Sequence, residues 1–187
     1  MNILGIIASS KFGDAGDFES IATTTVGSGG SSTITFSSIP STYKHLQIRC
    51  LAKTDRADTD DVILMQFNSD TAANYSWHYI RGNGTVASSS GVANASNISI
   101  NYGATGDSGA TNIFAGSVID ILDYENTNKY KTVRTLNGMD LNGSGYIYLA
   151  SGNWRSTSAI SSIVLNRQYG SNFKQYSQFA LYGIRSA

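Results

Sequence analysis

Two histidines, one cysteine and thirteen carboxylates are the side chains of this 187-residue sequence best suited to chemistry. Their spacing speaks against most of it. His45 and His78 each sit in an otherwise polar register, and neither has a third ligand nearby at metal-binding spacing. Both read as surface histidines. Asp55, Asp58, Asp60 and Asp61 crowd one loop, and calcium draws its oxygens from such loops. The run lacks the glycine and terminal glutamate of a calcium-binding loop, so it reads as a solvated turn. The looser group Asp120, Asp123 and Glu125 reads the same way. Hydrolysis of a surface polysaccharide would need two carboxylates that meet only in the fold. Glu19 and Glu125 are the only glutamates, and neither sits in a catalytic motif. No nucleophile elbow, phosphate-binding loop or dinucleotide fingerprint is present. The chain is therefore expected to be no enzyme, with no catalytic residues, no metal site and no cofactor.

Cys50 falls on the apolar parity of its segment, which makes it a small buried hydrophobe rather than a reactive thiol. A lone cysteine also leaves the fold independent of any internal disulfide. The aromatic residues are the more informative set. Trp77, Tyr75, Tyr79, Trp154, Tyr169 and Tyr176 fall near predicted strand ends or loops. Flat rings with a polar rim stack on sugars and anchor protein interfaces. Trp77, Tyr79 and Trp154 are the candidates for a glycan or partner contact, against the plainer role of packing between sheets.

These side chains are expected on strands. In His45–Thr54, Leu46, Ile48, Cys50 and Ala52 share one parity, against His45, Gln47, Arg49 and Lys53. Leu51 is the exception. Such alternation marks a strand with one buried face, and Arg49 and Lys53 are expected to point away from the core. Phe18–Val26 and Ser32–Phe36, joined by Gly27–Gly30, predict a hairpin. Pro40, the sole proline, marks the corner before the His45 strand. Asp61–Phe67 is apolar on both parities, as a strand in mid-sheet would be. Further strands are expected at Tyr75–Arg81, Asn97–Tyr102, Asn112–Leu122, Tyr130–Leu136 (ended by Asn137-Gly138), Tyr146–Ala150, Ile160–Leu165 and Phe179–Ile184. Gly82–Ala95 is predicted to be an exposed, mobile loop. Gly103–Thr111 reads as a second glycine-rich loop. No stretch has the period of a long amphipathic helix. Ten or eleven short strands predict an all-β fold, an antiparallel β-sandwich of jelly-roll type. It is divided into an N-terminal extended arm, residues 1–16, and a single sandwich domain, residues 17–187. Ile3, Leu4, Ile6 and Ile7 make the arm apolar. It either folds back on its own sandwich or inserts into a neighbouring subunit, since leaving each side chain in water forgoes about 1.5–3 kcal/mol.

Net charge is +0 and charged residues make up 14% of the chain. Lys and Arg are scattered, so no nucleic-acid footprint is expected. No apolar run reaches the roughly 18 residues of a membrane span, and Ile3–Ala8 lacks the basic flank of a secretory signal. So little charge on a Ser/Gly/Thr/Asn-rich sequence suits a protein held in an assembly.

Three stretches then line up: MNILGIIASSKFG at the start, FESIATTTVGSGGSSTITFSSIPSTYKHLQIRCLAKT after it, and NFKQYSQFALYGIRSA at the end. Together they resemble a group of short tailed-bacteriophage virion proteins, over Met1–Thr54 and Ser161–Ile184. The resemblance implies a β-sandwich with a structural role in the particle, as a head decoration, fibre or tail-associated protein. It carries no site residues with it. The expectation is a virion component made in the host cytoplasm and anchored by its arm. Its partners would be other virion proteins and copies of itself, with a trimer favoured by analogy with other jelly-roll particle proteins. The alternative is a carbohydrate-binding module that attaches the particle to host surface glycans.

Overall fold

The computed structural model describes residues 18–185, and every regular element among them is a β-strand. The arm, with Ile3, Leu4, Ile6 and Ile7, lies outside the described residues. In chain order the strands are β1 (Phe18–Thr25), β2 (Thr33–Phe36), β3 (His45–Ala52), β4 (Asp60–Phe67), β5 (Tyr75–Gly82) and β6 (Ala87–Ala95). Then come β7 (Ile98–Thr105), β8 (Ala115–Leu122), β9 (Lys131–Asp140), β10 (Gly145–Trp154), β11 (Ile163–Arg167) and β12 (Gln178–Ile184).

They form two antiparallel sheets. One has eight strands in the order β1-β12-β3-β8-β9-β10-β5-β6, and the other four in the order β2-β11-β4-β7. Four nested pairings organise both: β1 with β12, β2 with β11, β3 with β8, β4 with β7. A ribbon of such pairs rolled on itself is the jelly roll. Two hairpins, β5–β6 and β9–β10, are inserted between its strands. They zip together through β10 and β5 and extend the large sheet beyond the small one.

Parity explains the core. Leu46, Ile48, Cys50 and Ala52 of β3 face inward, as their alternation requires, and meet Ile63, Met65 and Phe67 of β4 and Ile163 and Leu165 of β11. β4 lies between β11 and β7, and this mid-sheet position suits its run of apolar residues. At the overhang, Tyr75, Phe67 and Trp154 close the core with ring centroids 5.5–6.3 Å apart.

Four expectations need correction. β1 and β2 do not form a hairpin: the Gly27–Gly30 turn carries the chain from one sheet to the other. Turn residues fix a reversal but not the strand that receives it. Gly82–Ala95 is no loop. Its second part is β6, paired residue by residue with β5 at the sheet edge. β9 does not end at Asn137-Gly138 but runs on to Asp140. Gly138 is there because a Cβ would lie 2.8 Å from the Tyr146 carbonyl oxygen, and Asn137 is buried, donating to the Asn101 carbonyl at 2.7 Å. Lys53 does not point to solvent. It is 2% exposed, with its ammonium 2.8 Å from the Gly106 oxygen and 3.3 Å from that of Ala110. Past Ala52 the chain leaves regular pairing, so parity no longer predicts direction.

Candidate functional site

The outer face of the large sheet carries what its strand parity should exclude. Register places Arg49, Val118, Leu136, Leu149 and Ile80 side by side across β3, β8, β9, β10 and β5. The next row reads Leu51, Gly116, Gly138, Ile147 and Gly82 across the same five strands. Val118, Leu136, Leu149, Ile80, Leu51 and Ile147 are between 37% and 63% exposed. They form one continuous stripe. Ile80, Gly82, Leu136, Ile147 and Leu149 line a shallow, open hollow of about 350 Å³. The glycines leave the floor low: a Cβ on Gly82 would sit 3.8 Å from Ile147 Cγ2. A monomer's largest apolar patch is roughly 300–600 Å², and such patches are often interaction sites.

The flanking row is polar, and across β3, β8 and β9 its side chains satisfy one another. Gln47 Nε2 donates to Asp120 Oδ1 at 2.8 Å, and Arg134 Nη2 donates to Asp120 Oδ2 at 2.9 Å. Arg49 Nε donates to Gln47 Oε1 at 2.8 Å, and its guanidinium lies over the Phe18 and Tyr182 rings at 4.9 and 5.5 Å. No unpaired charge therefore faces a partner laid on the stripe from this row. His78 is exposed in the same row, beside Gly91. His45 is tied down instead: its Nδ1 accepts from the Asp123 amide at 2.9 Å.

The glycan candidates separate. Trp154 is 2% exposed, so its ring presents no stacking platform, and its indole N–H donates to Asp70 Oδ2 at 2.7 Å. It shares a parity with buried Tyr148 and Ala150, which is why it turns inward. Trp77 and Tyr79 are half-buried on the inner side of β5, stacked at 5.9 Å. They continue into a ladder that the sequence did not suggest. Tyr79 packs on Tyr148 at 4.8 Å, and Tyr102 stacks on Tyr146 at 3.9 Å. Arg81 lies 5.3 and 5.7 Å from the centroids of that last pair. Tyr102 takes φ 58°, a left-handed backbone uncommon for a bulky residue. This bend in β7 brings its ring under the overhang.

The acidic loop is solvated at its tip, where Ala57, Asp58 and Thr59 are exposed, and structural at its two ends. Asp61 is fully buried and accepts from Thr54 Oγ1 and from the amides of Val62, Tyr169 and Gly170. Asp55 accepts from the amides of Ser171 and Asn172. Arg56 pairs with Asp58 at 2.8 Å and Asp60 at 3.3 Å. Asp55 and Asp61 thus clamp the β11–β12 loop to the stretch that leads into β4. Among the described residues no three His, Cys, Asp or Glu side chains come together to hold a metal ion. Cys50 is buried, and burial pushes its thiol up to about 12. Burial likewise holds Lys53 and Lys131 below the usual lysine range, each ammonium resting on backbone carbonyls.

The residues of the stripe were visible in the sequence only as exceptions. Leu51 breaks the alternation of β3, and Ile80, Ile147 and Leu149 lie on the parity opposite Tyr79 and Tyr148. An apolar residue on the wrong parity of an otherwise alternating strand is the signal for a partnered outer face. Comparison with protein-family models and with curated proteins found no match to this chain.

Proposed function

We propose that the chain is a structural component of a bacteriophage particle, a head-decoration, fibre or tail-associated protein that works by docking and not by catalysis. One observation carries this reading: six large aliphatic side chains stand exposed in adjacent rows of one broad sheet face. Beside them lies a row in which Gln47, Asp120 and Arg134 already satisfy one another. Such a face gains free energy when another surface covers it, at about 25 cal/mol per Å² of apolar area. The neutral chain adds no long-range repulsion between copies. The resemblance to short tailed-phage virion proteins over Met1–Thr54 and Ser161–Ile184 supplies the particle. Its partners are then other virion proteins and further copies of the chain, with a trimer favoured by analogy, and its place is the virion.

Removing Met1–Phe12 in the phage that encodes the protein tests the anchoring role. The truncated chain is expected to fold, by its circular dichroism and melting curve, and to be missing from purified particles. Particles that keep it at full occupancy would rule out anchoring by the arm.

A second reading has its own observation. Trp77, Tyr79, Tyr102 and Tyr146 are half-buried rings in one ladder, with Arg81 across its end. This suits a glycan-binding edge, on which ring faces and a guanidinium contact sugar carbons and hydroxyls. A glycan array probed with the intact protein and with Trp77→Ala and Tyr146→Ala tests it. No hits, or hits indifferent to both substitutions, would remove this reading.

A further inference from the structure

We propose that β6 is a dimerisation edge: two copies of this chain pair their β6 strands antiparallel across a two-fold axis, with Ser89 facing its own copy. β6 ends the eight-stranded sheet. Among the described residues, its backbone hydrogen bonds run to β5 and to no other strand. A bare edge is a template for another strand, and folded proteins blunt such edges with short strands, bulges, charges or proline. The other three edges of this fold are blunted. β2 has four residues. β1 is bulged between Ser20 and Ala22 and carries Glu19. β7 loses register opposite Asp61 and Ile63, where Tyr102 takes φ 58°. β6 has none of these devices from Ala87 to Val92. It pairs there residue for residue with β5, and Ala87–Ala95 contains no charge and no proline.

Counting along the hairpin tells which backbone groups are free. The Asn83 amide donates to the Val86 carbonyl at 3.3 Å and closes the β5–β6 turn. Hydrogen-bonded and non-hydrogen-bonded pairs alternate along an antiparallel ladder. Arg81–Ser88, Tyr79–Ser90 and Trp77–Val92 are therefore bonded pairs. Ala87, Ser89 and Gly91 turn their amides and carbonyls away from β5. A two-fold axis at Ser89 sets Ala87 opposite Gly91 of the partner subunit, and all three outward residues of each strand then pair, in about six hydrogen bonds. A slip toward Ala95 runs into the register break between the partners of Tyr75 and Trp77.

A second copy is the strand this edge fits. Small, uncharged side chains meet small, uncharged side chains, in a chain of net charge +0. On the outer face the His78 ring lies across Gly91, where a Cβ would run into it. The register brings Ala87 of the partner subunit beside that ring, a side chain small enough to leave it in place. An isologous contact closes after two molecules, so the apolar stripe stays free for other partners. Ala87–Gly91 makes a contact about 17 Å long at about 3.3 Å per residue. That is well short of a standard stable interface, so the dimer forms by mass action at high concentration.

Sedimentation of the full chain from low micromolar to millimolar concentration tests this. The mass is expected to rise toward twice that of the monomer. Ser89→Lys and Ser89→Asp should each weaken association at least tenfold, with melting curves unchanged, and mixing the two variants should restore it, because residue 89 meets residue 89. Ser171→Lys, on a distant loop, should change nothing. Amide hydrogen exchange of the unaltered chain gives a second reading. Ala87, Ser89 and Gly91 should slow severalfold between low and high concentration, while Ser88 and Ser90, bonded to β5, stay as they are. A chain that remains monomeric throughout overturns the proposal. So does self-association indifferent to both Ser89 variants, which would belong to another face, and so does exchange at Ser89 that ignores concentration.

Discussion

The two faces of the large sheet are built from the same strands and nearly the same residue types, yet they do opposite things. On β3, Ile48 is fully buried while its neighbour Arg49 is exposed beside Leu51. On β9, Val133 is buried and Leu136, on the other face, is half-exposed. Inner aliphatic side chains are surrounded by the small sheet and hold the fold. Outer ones touch only row neighbours, so they add little to folding and a great deal to surface energy. Hydrophobicity by itself says nothing about which job a residue has; the layer it faces decides.

The largest test of this contrast is a matched pair. Ile48→Ala removes a fully buried side chain and is expected to cost about 2–4 kcal/mol of unfolding free energy. Leu136→Ala on the outer face should cost less than about 1 kcal/mol. Urea denaturation with a common slope reads both, and equal losses would break the distinction. The inner face also has a flaw that sharpens it. Thr135 is 1% exposed and its hydroxyl has no hydrogen-bond partner. Thr135→Val keeps the shape and drops the unmet group, so it should stabilise the protein by about 1 kcal/mol. The same exchange at outer-face Thr132 removes no such penalty. A loss of stability in Thr135→Val would mean that the hydroxyl is satisfied after all.

The inner face was legible in the sequence and the outer face was not, for one physical reason. Alternation reports burial against a single core. It located Leu46, Ile48, Cys50 and Ala52 without error. It was silent on β6, whose first eight side chains are all exposed, because an edge strand with no covered face has no hydrophobic period. Asn137-Gly138 looked like a turn because its residues permit one, while in the fold close approach of Tyr146 demands the glycine. Lys53 and Trp154 failed in opposite ways. Parity was carried past the end of β3 for Lys53, and was not applied to Trp154, where counting two by two from Tyr148 leads inward. Strand order was out of reach altogether, since two of the four nested pairings join residues more than a hundred positions apart. The aromatic ladder was half legible: Trp77 and Tyr79 came from β5 alone, whereas Tyr102 and Tyr146 join only through tertiary packing.

Charges at the rim give a smaller effect, and its sign can be worked out. Lys129 and Lys44 hydrogen-bond the Asp123 carboxylate and hold its pKa down to about 2. The folded value lies below the unfolded one, so the stabilisation is complete above about pH 4 and disappears as pH falls through 2. Solvent screens this surface cluster, which limits its worth to about 1 kcal/mol or less. Asp123→Asn should therefore lower stability at pH 6 and match the parent near pH 2. Melting curves at the two pH values check this, and a gap that persists at pH 2 would show that charge is not the cause.

The smallest effect on folding separates the faces most cleanly, because stability and docking should move apart. Ile80→Ser and Leu149→Ser lie in one outer row and contribute little to the core. Together they are expected to shift the unfolding free energy by about 1 kcal/mol or less. If the stripe is a docking face, the same pair should lower the occupancy of the protein in purified particles severalfold, while the sandwich stays resistant to protease. Inner-face substitutions should do the reverse, opening the sandwich to protease in proportion to the stability they remove. Occupancy that follows global stability in every variant would mean the stripe makes no docking contact. Occupancy that follows the outer row would make the two faces of one sheet independent in function as they already are in packing.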